Sequence, residues 1–185
     1  MSEVYQLKIT LRGSKPPIWR RITVASTMTL GDLHNVIQTA MGWSNSHLHD
    51  FYDETGQNYS MDMEDVFGDC SDGISENSVR LCELLTEEKQ KLFYTYDFGD
   101  SWEHVVLLEK ISDSKEKAPA PRCLKGKNAC PPEDCGGIYG FYEMQEVLKD
   151  PDHPECEDII EWLGGEFDPA EFDIAHVNAL LANYK

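Results

Sequence analysis

The sequence predicts an α+β fold, with a β-rich first part over residues 1–112 and an acidic, mainly helical second part over 113–185, the two packed as one unit. Three patterns carry that expectation. Apolar residues alternate with period two in several short runs before residue 112, a single helical stripe interrupts those runs, and helical spacing between proline and glycine breakers dominates after the linker-like "DSKEKAPAP".

The elements follow in chain order. "VYQLKITLR" places Val4, Leu7, Ile9 and Leu11 near a two-residue period, and "IWRRITVA" alternates Ile18, Arg20, Ile22 and Val24 against Trp19, Arg21 and Thr23. The intervening "GSKPP" cannot continue a ladder, so the two runs form an antiparallel hairpin. "TLGDLHNVIQTAMGW" carries Leu30, Leu33, Val36, Ile37, Ala40 and Met41 as one helical face, with Thr29 and Asp32 at its start and Gly42 as a left-handed stop. "SHLHDFYDETGQNYS" reads as a strand ending in a turn at 55–57, and the acidic stretch 60–78 as an irregular loop. "YTYDFGDSWEHVVLLEK" reads as the strongest hairpin. Leu92, Tyr94 and Tyr96 share one face of its first strand, and Trp102, His104, Val106 and Leu108 one face of its second. "CLKGKNACPPEDCGG" reads as a loop, followed by helices in "YGFYEMQEVLK" and "ECEDIIEWLGG". A final helix is expected to be capped at Asp168, with Pro169 in its first turn.

Charge narrows the function classes. The 185 residues include 34 acidic and 16 basic side chains, a net charge of -18. Residues 1–60 are balanced, five against five, whereas Asn128 to Tyr184 holds fourteen acidic residues and one basic, Lys149. Direct binding to duplex DNA is disfavoured, because that affinity rests on Lys and Arg neutralising phosphates. The acidity is expected either to solvate the helical surface or to recognise a basic protein partner. No apolar run approaches a membrane span and "MSEVYQLKIT" lacks a signal peptide's pattern, so a cytoplasmic address is expected.

The chemistry-bearing residues fall in three groups. Asp97, Asp100, Glu103 and His104 gather at the hairpin turn, where they could serve as acid, base or hydrolytic metal ligands. The structural reading gives Asp97 and Asp100 to turn hydrogen bonds and Gly99 to a backbone conformation closed to other residues. Alternation sends Glu103 and His104 to opposite faces. His47 and His49, two residues apart, would share one strand face as half a metal site. Cys123, Cys130 and Cys135, joined by His153 or Cys156, are the leading zinc candidates, against a Cys123–Cys130 disulfide or buried free thiols. "DFG" at 97–99 lacks every other kinase motif, and Gly99-Asp100-Ser101 is not a nucleophile elbow.

Through "YTYDFGDSWEHVVLLEK", "CLKGKNACPPEDCGGIYGFYEMQEVLKDPDHPECEDIIEWLGGEFDPAEFDIAHVN", "YQLKITLRGSKPPIWRRITV" and "HLHDF", nearly the whole chain resembles the plasmid pRiA4b ORF-3-like family. The resemblance implies an α+β fold whose first part is similar to a β-grasp, a sheet curled around one helix. Some members carry a transposon-resolvase label. The five arginines here, Arg12, Arg20, Arg21, Arg80 and Arg122, and the negative charge argue against recombinase chemistry. The function expected is a non-enzymatic protein-interaction module. The alternative is a metal-dependent hydrolase or DNA-processing accessory enzyme using His49, Asp97, Asp100 and His104.

Overall fold

The computed structural model describes residues 2–61, 73–114 and 119–184. It is an α+β fold built on one open eight-stranded sheet. The strands are β1 (Ser2–Leu11), β2 (Trp19–Ala25), β3 (His49–Tyr52), β4 (Asn58–Ser60), β5 (Ile74–Ser75), β6 (Lys91–Tyr96), β7 (Trp102–Ser114) and β8 (Arg122–Lys127). Their spatial order is β5-β4-β3-β6-β7-β1-β2-β8, antiparallel throughout except for the β4–β5 pair.

Alternation decides which face is covered. Tyr5, Leu7, Ile9 and Leu11 of β1 point to one side, with Leu92, Tyr94, Tyr96, Trp102, His104, Val106 and Leu108 of the β6–β7 hairpin beside them, all buried. Register aligns them in rows: Ile9 faces Val106, which faces Leu92, and Leu11 faces His104, which faces Tyr94. Glu103 lies on the opposite face, where it pairs with Arg12 at 2.6 Å.

Helix α1 (Leu30–Met41) closes this face with Leu30, Leu33, Val36 and Ile37, none of them measurably exposed. Each such side chain stabilises the fold by about 1.5–3 kcal/mol relative to an exposed position. The helix begins where the Thr29 side chain accepts from the Asp32 amide, and it stops at Gly42, whose φ of 94° is left-handed. A one-turn helix, α2 (Leu81–Leu84), follows a 3-10 turn at Glu76–Ser78, and the Tyr5 hydroxyl anchors its end by donating to the Leu85 carbonyl at 2.7 Å.

The second part holds α3 (Gly137–Leu148), α4 (Cys156–Leu163) and α5 (Ile174–Leu181). Two expectations change here. Residues 123–127, expected within a cysteine- and glycine-rich loop, belong to the edge strand β8 against β2, so the second part completes the sheet of the first. The last helix starts at Ile174, with the Asp173 carboxylate accepting from the Ala175 and His176 amides. Asp168 instead closes a separate turn, accepting from the Ala170 amide at 2.8 Å. The physical reason is Phe172. Its ring lies under the Arg20 guanidinium, 3.9 Å from the ring centroid, and fills the space where a side chain at Gly126 would stand, so the chain between Asp168 and Asp173 must run across β8. Asn178 of α5 then satisfies the β8 edge, accepting from the Cys123 amide at 2.8 Å and donating to the Cys123 carbonyl at 2.9 Å. Of the expected loop at 60–78, residues 62–72 lie outside the described residues, and 73–78 supply β5 and the 3-10 turn. Linker residues 115–118 also lie outside them. No helix among the described residues is long and apolar enough to cross a membrane.

Candidate functional site

Three segments meet at one end of the sheet: the bend before β3, the β6–β7 turn, and the loop between β8 and α3. The turn is shaped by Asp97. Its Oδ1 accepts from the Gly99 amide at 2.9 Å and the Asp100 amide at 3.4 Å, and the Ser101 amide donates to the Asp97 carbonyl at 2.6 Å. Left-handed backbone falls on Asp97 (φ 57°) and Ser101 (φ 53°) rather than on Gly99, which corrects the expectation for that glycine. Asp tolerates this region because its short polar side chain bonds the local backbone.

The β8–α3 loop is clamped onto that turn. Asp100 Oδ2 accepts from the Gly136 amide at 3.2 Å, and a Cβ on Gly137 (φ 68°) would stand 2.5 Å from the Asp100 carbonyl oxygen, so only glycine permits the approach. Glu133 accepts from the Tyr96 hydroxyl at one oxygen and from the Ser44 amide and hydroxyl at the other. Burial opposes its ionisation, but the bonds from Ser44 and Tyr96 outweigh it and hold Glu133 below the usual carboxylate range. Burial, reinforced by Glu133, pushes the Tyr96 phenol up. The Trp43 indole stacks on Tyr96 at 5.0 Å and donates to the Pro131 carbonyl at 3.0 Å.

The histidines separate. β3 begins at His49, and His47 lies in the bend before it, so their two-residue spacing does not give them common partners. His49 is buried, stacked on His34 at 3.4 Å with the rings 3° from parallel, and its Nε2 meets Glu76 Oε2 at 2.9 Å. His34 bridges the Tyr94 hydroxyl at 2.8 Å and Asn45 Oδ1 at 2.7 Å. Burial, then the neighbouring His49, lower its pKa to about 4 despite the Asn45 bond. His104 is fully buried beneath Trp43 (5.4 Å, edge-on) and Tyr94, and neither ring nitrogen has a hydrogen-bond partner. Burial lowers its pKa to about 4.

The four candidates His49, Asp97, Asp100 and His104 therefore do not act as one constellation. His49 and His104 are sunk in the core, and each aspartate commits an oxygen to a backbone amide. Nor do Cys123, Cys130, Cys135 and His153 form a group with the spacing of metal ligands. All five cysteines among the described residues are free thiols, so Cys123 and Cys130 are not joined. Burial pushes the Cys123 and Cys130 thiols up and the Cys135 thiol up to about 12, which favours their protonated form. His153 accepts from the Glu155 amide in the turn before α4, and Cys156 is buried on α4 itself.

Among the described residues, one group of three side chains has the spacing of metal ligands: His47, Asp97 and Asp134, whose ligand atoms all lie within 4.8 Å of one another. His47 Nε2 is 3.2 Å from Asp134 Oδ1 and 3.7 Å from Asp97 Oδ2. The sequence pairs His47 with His49 alone and does not mark Asp134 as a ligand, because nothing local signals that the bend, the turn and the loop converge.

A sequence model of the family described as plasmid pRiA4b ORF-3-like protein matches residues 3–176. The chain is 37% identical over 186 residues to a protein of Sinorhizobium fredii (strain NBRC 101917 / NGR234) described as uncharacterized protein y4hQ, covering 96% of this chain and 90% of that one. It is similar to the crystal structure of a protein of unknown function, MM3350 from Methanosarcina mazei Go1, with a TM-score of 0.82 and 42% identity over 95% of this chain and 97% of that one.

Proposed function

The chain belongs to the plasmid pRiA4b ORF-3-like family, and on that premise we propose that it is a non-enzymatic, cytoplasmic interaction module whose acidic helical surface takes a basic protein segment. One observation carries the reading: the second part exposes large apolar side chains within a strongly acidic surface. Tyr139 of α3 is 86% exposed and Trp162 of α4 is 52% exposed, in a stretch whose fourteen acidic residues face one lysine. Exposed aromatic side chains in a stretch with charge of one sign suit a partner that offers apolar side chains flanked by Lys and Arg. Direct DNA contact is disfavoured by the same charge.

The sheet is the scaffold for this surface. Its hairpin, helix and further strands support a β-grasp-like reading of the first part, in which buried aromatic and histidine side chains specify packing. The free thiols support a reducing compartment. The test is retention of host-cell proteins on the immobilised chain. A partner held by the wild type and released both by Tyr139→Ser/Trp162→Ser and by raised salt is expected; identical retention by the double variant contradicts the proposal.

The alternative, a metal-dependent hydrolase or DNA-processing accessory enzyme, draws on a different constellation from the four residues named for it. Of those four, His49 and His104 are consumed by core packing and Asp100 by its bond to the Gly136 amide, while Asp97 gives only one oxygen to the turn. The support that is left lies in Asp97 taken with His47 and Asp134.

A further inference from the structure

We infer that His47, Asp97 and Asp134 form an open binding site for a divalent transition-metal ion, which ties the β8–α3 loop to the β6–β7 turn. The inference begins with unused ligand atoms. His47 Nε2 is shielded from solvent and has no hydrogen-bond partner, although two carboxylates stand 3.2 and 3.7 Å away. A simple ion pair would direct an N–H along one of those lines. Asp97 gives Oδ1 to the Gly99 and Asp100 amides, which fixes the carboxylate plane and leaves Oδ2 directed at His47 with no hydrogen bond of its own. This side chain is only 10% exposed, and among the described residues no Lys or Arg pairs with it or with Asp134. A buried carboxylate beside a second carboxylate and without a cation is costly, and a bound dication removes that cost.

Distances favour coordination. Ligands held about 2.0–2.2 Å from one ion stand roughly 3.0–3.4 Å apart in octahedral or tetrahedral geometry. The His47–Asp134 separation of 3.2 Å already fits, and the His47–Asp97 separation of 3.7 Å needs closure by a few tenths of an ångström. His47 can supply that movement, because its side chain is 27% exposed and it sits in the bend before β3, while the Gly99 and Asp100 amides hold Asp97 in place. One imidazole and two carboxylates suit Mn²⁺, Fe²⁺ or Zn²⁺ better than Ca²⁺, which takes oxygen ligands only. Three protein ligands leave positions for water or for an anionic group of a partner, as in sites that are not purely structural. Glu133 does not compete, since Tyr96 and Ser44 occupy both of its oxygens.

The site is independent of the acidic helical surface, and its test uses the full chain stripped of metal by chelation. Isothermal titration with Mn²⁺ and with Zn²⁺ is expected to show uptake of one equivalent of at least one of them, with a rise in melting temperature. Asp134→Asn and His47→Gln are each expected to weaken that uptake by more than about tenfold. Asp134 is exposed, so its variant keeps the fold, and a melting curve in the absence of metal checks that it does. Cys135→Ser and His153→Asn serve as controls and should leave uptake unchanged. Absence of saturable uptake of both ions by the wild type overturns the site, as does uptake unaffected by Asp134→Asn and His47→Gln. Uptake lost in Cys135→Ser overturns it in favour of a thiolate centre.

Discussion

Helices α1 and α4 belong to one chain and both carry an apolar stripe, yet they meet the molecule differently. α1 buries nine of its twelve residues beneath the sheet, including His34 and Gln38, whereas α4 buries only Cys156 of its eight and leaves Ile160 and Trp162 partly in solvent. The difference teaches that helical patterning does not by itself assign a role. α1 is held by a core that would lose several kcal/mol without it, while α4 displays apolar surface that the fold does not use.

The largest expected effect on this contrast comes from Arg20, which joins the two parts. Its Nε donates to the Ala40 carbonyl at the end of α1 at 2.8 Å, and Nη1 donates to the Lys127 and Asn128 carbonyls at the end of β8, at 3.1 and 3.0 Å. Arg20→Ala leaves those carbonyls buried and a cavity beside Phe172. A loss of about 4 kcal/mol is expected in denaturant unfolding.

Leu33→Ala in α1 is expected to cost about 3 kcal/mol, and Trp162→Ala in α4 no more than about 0.5 kcal/mol, in the same measurement. Comparable losses at the two positions would erase the distinction between the helices.

Acid should act through two buried rings of the first part, His34 and His104. The folded pKa values of His34 and His104, about 4, lie below the unfolded value of 6.5, so the unfolded chain binds more protons between those limits. The stability contributed by the neutral rings is complete above pH 6.5 and is lost as pH falls towards 4, on the order of 3 kcal/mol for each ring. Unfolding free energies measured across that window check it, and His104→Phe should flatten the slope.

A smaller effect belongs to the clamp between the parts. Gly137→Ala forces a Cβ against the Asp100 carbonyl at a left-handed position and is expected to cost about 2 kcal/mol. Amide hydrogen exchange should then accelerate in the 130–137 loop while β6 and β7 keep their protection.

Much of the scaffold was legible in the chain because its signals are local. The period-two runs of β1 and β2, the Thr29 and Gly42 caps of α1, and the shared faces of the Tyr94–Leu108 hairpin all stand as expected. β8 was hidden because Gly126 and three charged residues break its alternation; its pairing is decided by β2 and by the covering Phe172 and Asn178. The start of α5 was misplaced because Asp168 and Asp173 are both competent caps, and only the packing of Phe172 chooses between them. The role of Asp97 in the turn was readable from its residue type and place. Its meeting with His47 and Asp134 was not, since it depends on the loop docking through Asp100, Glu133 and two glycines.

The division of labour between scaffold and surface is tested most directly by site-specific photocrosslinking in the host cell. A photoreactive residue is placed at position 162 on the acidic helical part or at the exposed position 27 on the sheet part. Salt-sensitive adducts with a basic protein from position 162 and none from position 27 are the predicted result. Equal labelling from both positions, or labelling from position 27 alone, contradicts the account.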